Sequence, residues 1–124
     1  MKDTKEIDNE LIVNNIVSGI QEKKGKQIVI VNLTKLKDAP CSYFVICEGD
    51  SNVHVSSVAF SIKDYVSDKI KINPFAVDGF ENSEWIALDY GQIIVHVFQR
   101  PARLYYDLEH LWGDADIHFI ENLN

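Results

Sequence analysis

The stretch WIALDYGQIIVHVF, Trp85–Phe98, decides the fold. Two apolar runs flank the turn sequence DYG, and this arrangement predicts a β-hairpin with strands over Trp85–Leu88 and Gln92–Phe98. Successive side chains on a strand point to opposite faces of the sheet. One face of the second strand is therefore wholly apolar, and we expect helices to cover it; it carries Ile93, Val95 and Val97. The other face places His96 between two apolar neighbours.

The role of His96 is the first functional question. Metal binding would need further ligands at close spacing, and catalysis would need a positioned partner. Asp89 could pair with His96 across the hairpin, but no serine or cysteine is placed to complete a nucleophilic triad. A nucleotidyltransferase would need two acidic residues around one apolar strand position, and the strand ending ALDYG offers one. We therefore expect no enzyme activity, no metal and no cofactor, and a structural or interface role for His96.

Outward from the hairpin, hydrophobic periodicity and turn signals predict the other elements. In chain order they are a helix over Thr4–Lys24, strands over Gln27–Leu33 and Tyr43–Cys47, a helix from the N-cap Ser51 to about Lys69, a short strand within Phe75–Phe80, the hairpin, and a helix from Pro101 that ends at Gly113. The strand Tyr43–Cys47 is apolar on both faces, which indicates a central position. The order α-β-β-α-β-β-β-α predicts one α/β domain with a mixed β-sheet flanked by helices.

Apolar stripes predict which helix faces pack on the sheet. In the first helix the stripe contains Ile7, Leu11, Asn14 and Val17–Ile20, and Val13 and Ile16 widen it. In the second helix it contains Val55, Val58, Ala59, Ile62 and Val66. In the last helix it contains Leu104, Leu108 and Leu111. On other sides of the last helix, Arg103 with Asp107 and Tyr105 with Glu109 are neighbours at i,i+4. From about residue 114 we expect a short acidic tail.

Composition restricts the class of partner. The chain has 124 residues, a polar N-terminus unlike a signal peptide and no apolar run near the length of a membrane span, so we expect a cytoplasmic protein. The segment Asn73–Asn124 carries two basic and nine acidic residues, which accounts for the whole net charge of −7. Nucleic-acid affinity depends largely on basic residues, so a basic protein patch is the better match.

Aromatic residues crowd into the same region. Five lie within 28 residues, alongside Arg100 and Arg103: Trp85, Tyr90, Tyr105, Tyr106 and Trp112. Tryptophan, tyrosine and arginine dominate the binding energy of protein interfaces. The competing interpretation, for Trp85 and Tyr106 above all, is that these rings hold the core. We expect Trp112 to belong to the core.

The segment VDGFENSEWIALDYGQIIVHVFQRPARLYYDLEHLWGDADI resembles the C-terminal half of the ribosomal silencing factor family, also called RsfS or Iojap. The motif positions are Asp78 and Gly79, Trp85, Asp89 and Gly91, Val95–Phe98, Arg103 and Tyr106, and Leu108, Glu109, Leu111 and Trp112. FVICEGDSNVHV resembles the family's central strand and the turn after it, and the likeness spans about Ile12–Ile117. Two positions depart from the family pattern: Ser42 stands where an acid is common, and Val53 where arginine is common.

The resemblance implies a function. Members of this family bind the large ribosomal subunit through its protein L fourteen, block joining of the small subunit and lower translation when nutrients run short. It also implies a nucleotidyltransferase-like fold without known catalysis, a homodimer, and partner-binding residues in or beside the motif. Those candidates are Trp85, Asp89, Tyr90, His96, Arg103, Tyr106 and Glu109. A divergent nucleotidyltransferase with Asp89 as its one remaining acid, and a general protein-interaction adaptor, are the alternative hypotheses.

Overall fold

The computed structural model describes residues 4–113 and 115–123, with side chains described from Asn9 onward. Its elements are α1 (Thr4–Glu22), β1 (Lys26–Asn32), β2 (Tyr43–Gly49), α2 (Asn52–Ile70), β3 (Ala76–Asp78), β4 (Trp85–Asp89), β5 (Ile93–Gln99), α3 (Arg100–Tyr106), α4 (Leu108–Leu111) and β6 (Asp116–Ile120). The predicted hairpin is confirmed as β4 and β5, which pair antiparallel.

The six strands form one mixed sheet in the order β3-β4-β5-β2-β1-β6. Strand β2 pairs with β5 in parallel, and the four other pairings are antiparallel. The central position predicted for β2 is confirmed, because it lies between β5 and β1. The predicted single α/β domain with a mixed sheet is therefore the observed architecture.

The two faces of the sheet are covered differently. The face that carries Ile93, Val95 and Val97, here called the two-helix face, packs against α1 and α2, and these three side chains are fully buried as expected. Among the described residues, the opposite face, here called the aromatic face, is covered by the short helices α3 and α4, the residues directly after α4 and the loop between β1 and β2. The functional candidates lie mainly on this thinly covered side.

Helix α2 follows its sequence signals closely. The Ser51 hydroxyl accepts a hydrogen bond from the His54 backbone N–H at 3.1 Å, which confirms the predicted N-cap. All five residues of the predicted stripe are buried. Helix α1 buries Ile12, Val13, Ile16 and Ile20, while Leu11 and Asn14 are exposed, so its packed face is shifted from the predicted stripe. Of the other stripe positions, the Ile7 side chain lies outside the described residues.

The single helix predicted from Pro101 to Gly113 is wrong. Asp107 adopts a left-handed conformation with φ of 47°, and this residue ends α3 and precedes the separate turn α4. The predicted stripe fails with it, because Leu104 and Leu111 are both 65% exposed. After this break, Leu108 of α4 packs against the buried residues of β1, β2 and β5.

The residues after Gly113 form a strand, β6, where a tail was predicted. Strand β6 pairs antiparallel with β1, from Ile28 opposite Ile120 to Asn32 opposite Asp116. Past its end, the Asn122 side chain accepts a hydrogen bond from the Gln27 backbone N–H at 2.8 Å. The segment predicted to be an acidic tail therefore extends the sheet as its edge strand. Asp114 lies outside the described residues.

Candidate partner-binding site

Trp85 and His96 form the polar contact at the centre of the aromatic face. The indole Nε1–H of Trp85 donates to His96 Nδ1 at 3.0 Å, so a neutral His96 carries its proton on Nε2. The possible pairing of His96 with Asp89 does not form. In the β-ladder, His96 lies opposite Ala87 and Asp89 lies opposite Ile94. Asp89 Oδ1 instead accepts from the Gly91 N–H in the hairpin turn at 2.7 Å.

His96 is held in its neutral form by burial. The residue is 6% exposed, and the Phe44 ring meets its ring edge-on at 4.7 Å between centroids. Burial lowers the pKa of His96 to about 4. Its Nε2 atom is buried without a hydrogen-bond partner among the described residues. At neutral pH, His96 is thus an uncharged ring that orients Trp85.

A stack of aromatic rings leads from this buried pair to the surface. Trp85 stacks on Phe98 with 5.0 Å between ring centroids, and the Tyr106 ring lies 4.7 Å from that of Trp85. Tyr105 meets Tyr106 edge-on at 5.0 Å. Phe98 is fully buried, Trp85 half-buried, and Tyr105 and Tyr106 exposed. The inner rings therefore belong to the core, whereas the outer rings face solvent.

Arg103 is the centre of a buried ionic network. Its Nη1 donates to Glu48 Oε1 at 3.1 Å and to the Gln27 backbone oxygen at 2.7 Å. Its Nε and Nη2 donate to the two carboxylate oxygens of Glu109 at 3.3 and 3.0 Å. The predicted neighbour Asp107 instead contacts His110, and this contact raises the pKa of His110. Arg103 thus ties α3 and α4 to the ends of β1 and β2.

Sequence reasoning missed Glu48 and Arg100 in this network. Arg100 Nη1 reaches Glu48 Oε2 at 3.2 Å, so Glu48 lies between two guanidinium groups. A carboxylate directly after the apolar run YFVIC was the available signal, because a buried acid at the end of a central strand needs a cationic partner.

The remaining candidates lie apart from this cluster. Tyr90 packs among the residues under α1 and α2, where its hydroxyl has no described partner and burial raises its pKa. Asp89 sits half-exposed at the hairpin turn. Trp112, expected in the core, is half-buried and packs against the cluster of the aromatic face. The structure therefore joins Trp85, His96 and Tyr106 in one group and Arg103 with Glu109 in another.

Three further observations concern metal binding, the cysteines and the helices. Among the described side chains, no three histidine, cysteine or acidic residues stand close enough together to hold a metal ion. Both cysteines are buried free thiols, and burial raises the pKa of Cys47 to about 12. No helix in the described ranges combines the length and apolar character needed to cross a membrane.

Comparisons with known proteins agree on one family. The family model described as ribosomal silencing factor during starvation matches residues 5–124. The chain is 34% identical over 107 residues to a ribosomal silencing factor RsfS of Halalkalibacterium halodurans, covering 86% of this chain and 90% of that protein. It is 33% identical over 106 residues to the RsfS of Bacillus subtilis, covering 86% and 88%. A crystal structure of a Chromobacterium violaceum protein superposes with a TM-score of 0.78 at 29% identity, over 89% of this chain and 90% of that one.

Fold and site together define a class: a small α/β domain whose mixed sheet carries two long helices on one face and two short helices beside a group of aromatic rings on the other. The comparisons then give the family. The chain belongs to the ribosomal silencing factor family, RsfS or Iojap.

Proposed function

We propose that the chain is a translational repressor that acts by steric block. It binds the large ribosomal subunit through protein L fourteen and occupies the surface that the small subunit needs, which lowers translation under nutrient limitation. The observation that carries this proposal is the family match over residues 5–124. The proposed mechanism requires a binding surface and no reaction, so it needs neither a catalytic residue nor a cofactor. From the family resemblance we also propose that the chain acts in the cytoplasm and as a homodimer.

The aromatic face suits contact with a basic protein. Its outer rings, Tyr105 and Tyr106, are exposed and meet edge-on, and tyrosine rings give contact area at little cost in side-chain entropy. The net charge of −7 lies wholly in the sequence that builds β3 to β6, α3 and α4. Acidic charge would speed encounter with a basic partner and would repel a phosphate backbone. A ribosomal protein is therefore a better direct ligand than ribosomal RNA.

The seven candidates divide by exposure into two roles within this proposal. The accessible groups, Trp85, Asp89, Tyr106 and the edge of Glu109, contact the partner. Tyr90, His96 and Arg103 are each about 6% exposed, so they act by holding the accessible groups in place. The alternative enzyme hypothesis has less support, because Asp89 has a structural role in the hairpin turn.

Alanine variants of two equally exposed rings test the location of the surface. Tyr106 and Phe60 are both 50% exposed, and Phe60 lies on α2, which covers the two-helix face. We expect Tyr106→Ala to weaken binding to purified large subunits by about 2 kcal/mol, as loss of a central interface aromatic does. Phe60→Ala should bind normally, and both should melt close to the wild-type temperature.

The readouts are thermal melting and co-sedimentation with large subunits, measured for each variant. Normal binding by Tyr106→Ala, with weakened binding by Phe60→Ala, would move the contact surface to the other side of the sheet.

A further inference from the structure

A pocket opens beside the aromatic stack, between the turn that joins β3 to β4 and helix α3. Its volume is about 310 Å³. Trp85 and Tyr106 form an aromatic wall, and Asp78, Glu81 and Glu84 line it with carboxylates. We call it the acidic pocket. It extends the aromatic face toward Glu81, Asn82, Glu84 and Ala102, which are not among the family motif positions.

The turn that carries these acids is held in a fixed shape. The Ser83 N–H donates to the Gly79 carbonyl oxygen at 2.9 Å, and the Ser83 hydroxyl donates to the Phe80 carbonyl oxygen at 3.0 Å. The Gln99 N–H donates to the Glu84 carbonyl oxygen at 2.8 Å. Gly79 has φ of +98°, and a Cβ there would overlap the Trp85 carbonyl oxygen. A ligand would therefore meet a pocket that is already formed, which lowers the entropy cost of binding.

The charge of the acidic pocket is not balanced from within the described part of the chain. Its lining includes no lysine, arginine or histidine. None of the three carboxylates takes part in a salt bridge between described side chains. Three like charges around one small volume repel each other, and a cation placed between them would relieve that repulsion. The adjoining Trp85 and Tyr106 rings also attract a cation through their faces.

We propose that the acidic pocket binds one lysine or arginine side chain of the protein partner. Arginine fits best, because its planar guanidinium can stack on a ring while it donates hydrogen bonds to carboxylates. A second copy of this chain is a poorer occupant, since the region around the pocket carries its whole net negative charge. The proposal rests on the proposed function, for which it names the chemistry that the binding surface recognises.

Neutral isosteres of two pocket acids test this inference. We expect the double variant Glu81→Gln/Glu84→Gln to bind purified large subunits about tenfold more weakly at low salt, because it loses two partners of the incoming cation. Its affinity should also depend less on salt than that of the wild type. The matched control is Asp64→Asn/Asp68→Asn, which removes two exposed acids from α2 and should bind like the wild type.

A second measurement separates this inference from the proposed function. The Trp85 indole N–H signal in an NMR spectrum of the full chain should shift on titration with N-acetyl-arginine amide, and not with its uncharged citrulline analogue. If the wild-type protein shows this shift but does not bind large subunits, the proposed ribosomal partner is wrong. The proposal that the acidic pocket binds a cationic side chain would then still stand. If the Glu81→Gln/Glu84→Gln variant binds large subunits with the affinity and salt dependence of the wild type, the pocket does not bind the partner's cation. The proposed function would then still stand.

Discussion

Arg103→Ala is expected to destabilise the fold by about 3–5 kcal/mol, because removing one partner of a buried ion pair leaves uncompensated charge behind. The substitution would leave the carboxylates of Glu48 and Glu109, whose side chains are only 10% and 14% exposed, without this guanidinium. It would also remove the hydrogen bond to the Gln27 carbonyl oxygen. Small domains have a total free energy of unfolding of about 5–15 kcal/mol, so the variant should be close to unfolding.

Arg100→Ala is the matched control for this prediction. Arg100 contacts the same carboxylate of Glu48, but its side chain is 63% exposed, against 7% for Arg103. Exposed ion pairs contribute about 0–1 kcal/mol, so we expect little change. Urea unfolding of both variants measures the difference. If Arg100→Ala and Arg103→Ala lower the free energy of unfolding equally, burial of Arg103 does not stabilise the contact of α3 and α4 with the sheet.

The second large effect concerns pH. Burial holds the pKa of His96 at about 4 in the folded chain, against an ordinary value of 6.5. Between these two values the unfolded chain binds a proton at this position and the folded chain does not. Stability should therefore fall as the pH is lowered from about 6.5 to 4, by about 3 kcal/mol in all, and the loss from this residue should end below the folded pKa.

His96→Gln isolates this contribution, because glutamine does not titrate and its side-chain oxygen can still accept from the Trp85 indole. The measurement is the free energy of unfolding of both proteins between pH 4 and 7. The wild type should lose stability relative to the variant as the pH falls. Parallel curves would mean that His96 takes up its proton as easily in the folded state as in the unfolded one.

The elements that local sequence determines were predicted well. The hairpin depends on two short apolar runs and a turn within Trp85–Phe98, and α2 depends on a cap and a stripe within Ser51–Lys69. Strand β6 depends instead on pairing with β1, about ninety residues earlier in the chain. Its short apolar run has no turn signal linking it to that partner, so the sequence indicated a tail.

The candidate site shows the same division. The contact of Trp85 with His96 follows from strand alternation, because both residues point to the same face of neighbouring strands, and the hairpin register could have predicted it. Arg103 bonds to Glu109, six positions later, which one continuous helix does not bring together. That contact needs the break at Asp107, where a non-glycine residue takes a positive φ. Helix periodicity alone therefore predicted exposed pairs where the structure has a buried network.

Subunit joining in a purified system tests the proposed function most directly. Separated ribosomal subunits are mixed with increasing amounts of the protein, and joining is followed by light scattering while occupancy of the large subunit is measured by co-sedimentation. We expect joining to decrease in proportion to occupancy and to stop when every large subunit carries the protein. Full occupancy with unchanged joining would contradict the steric block.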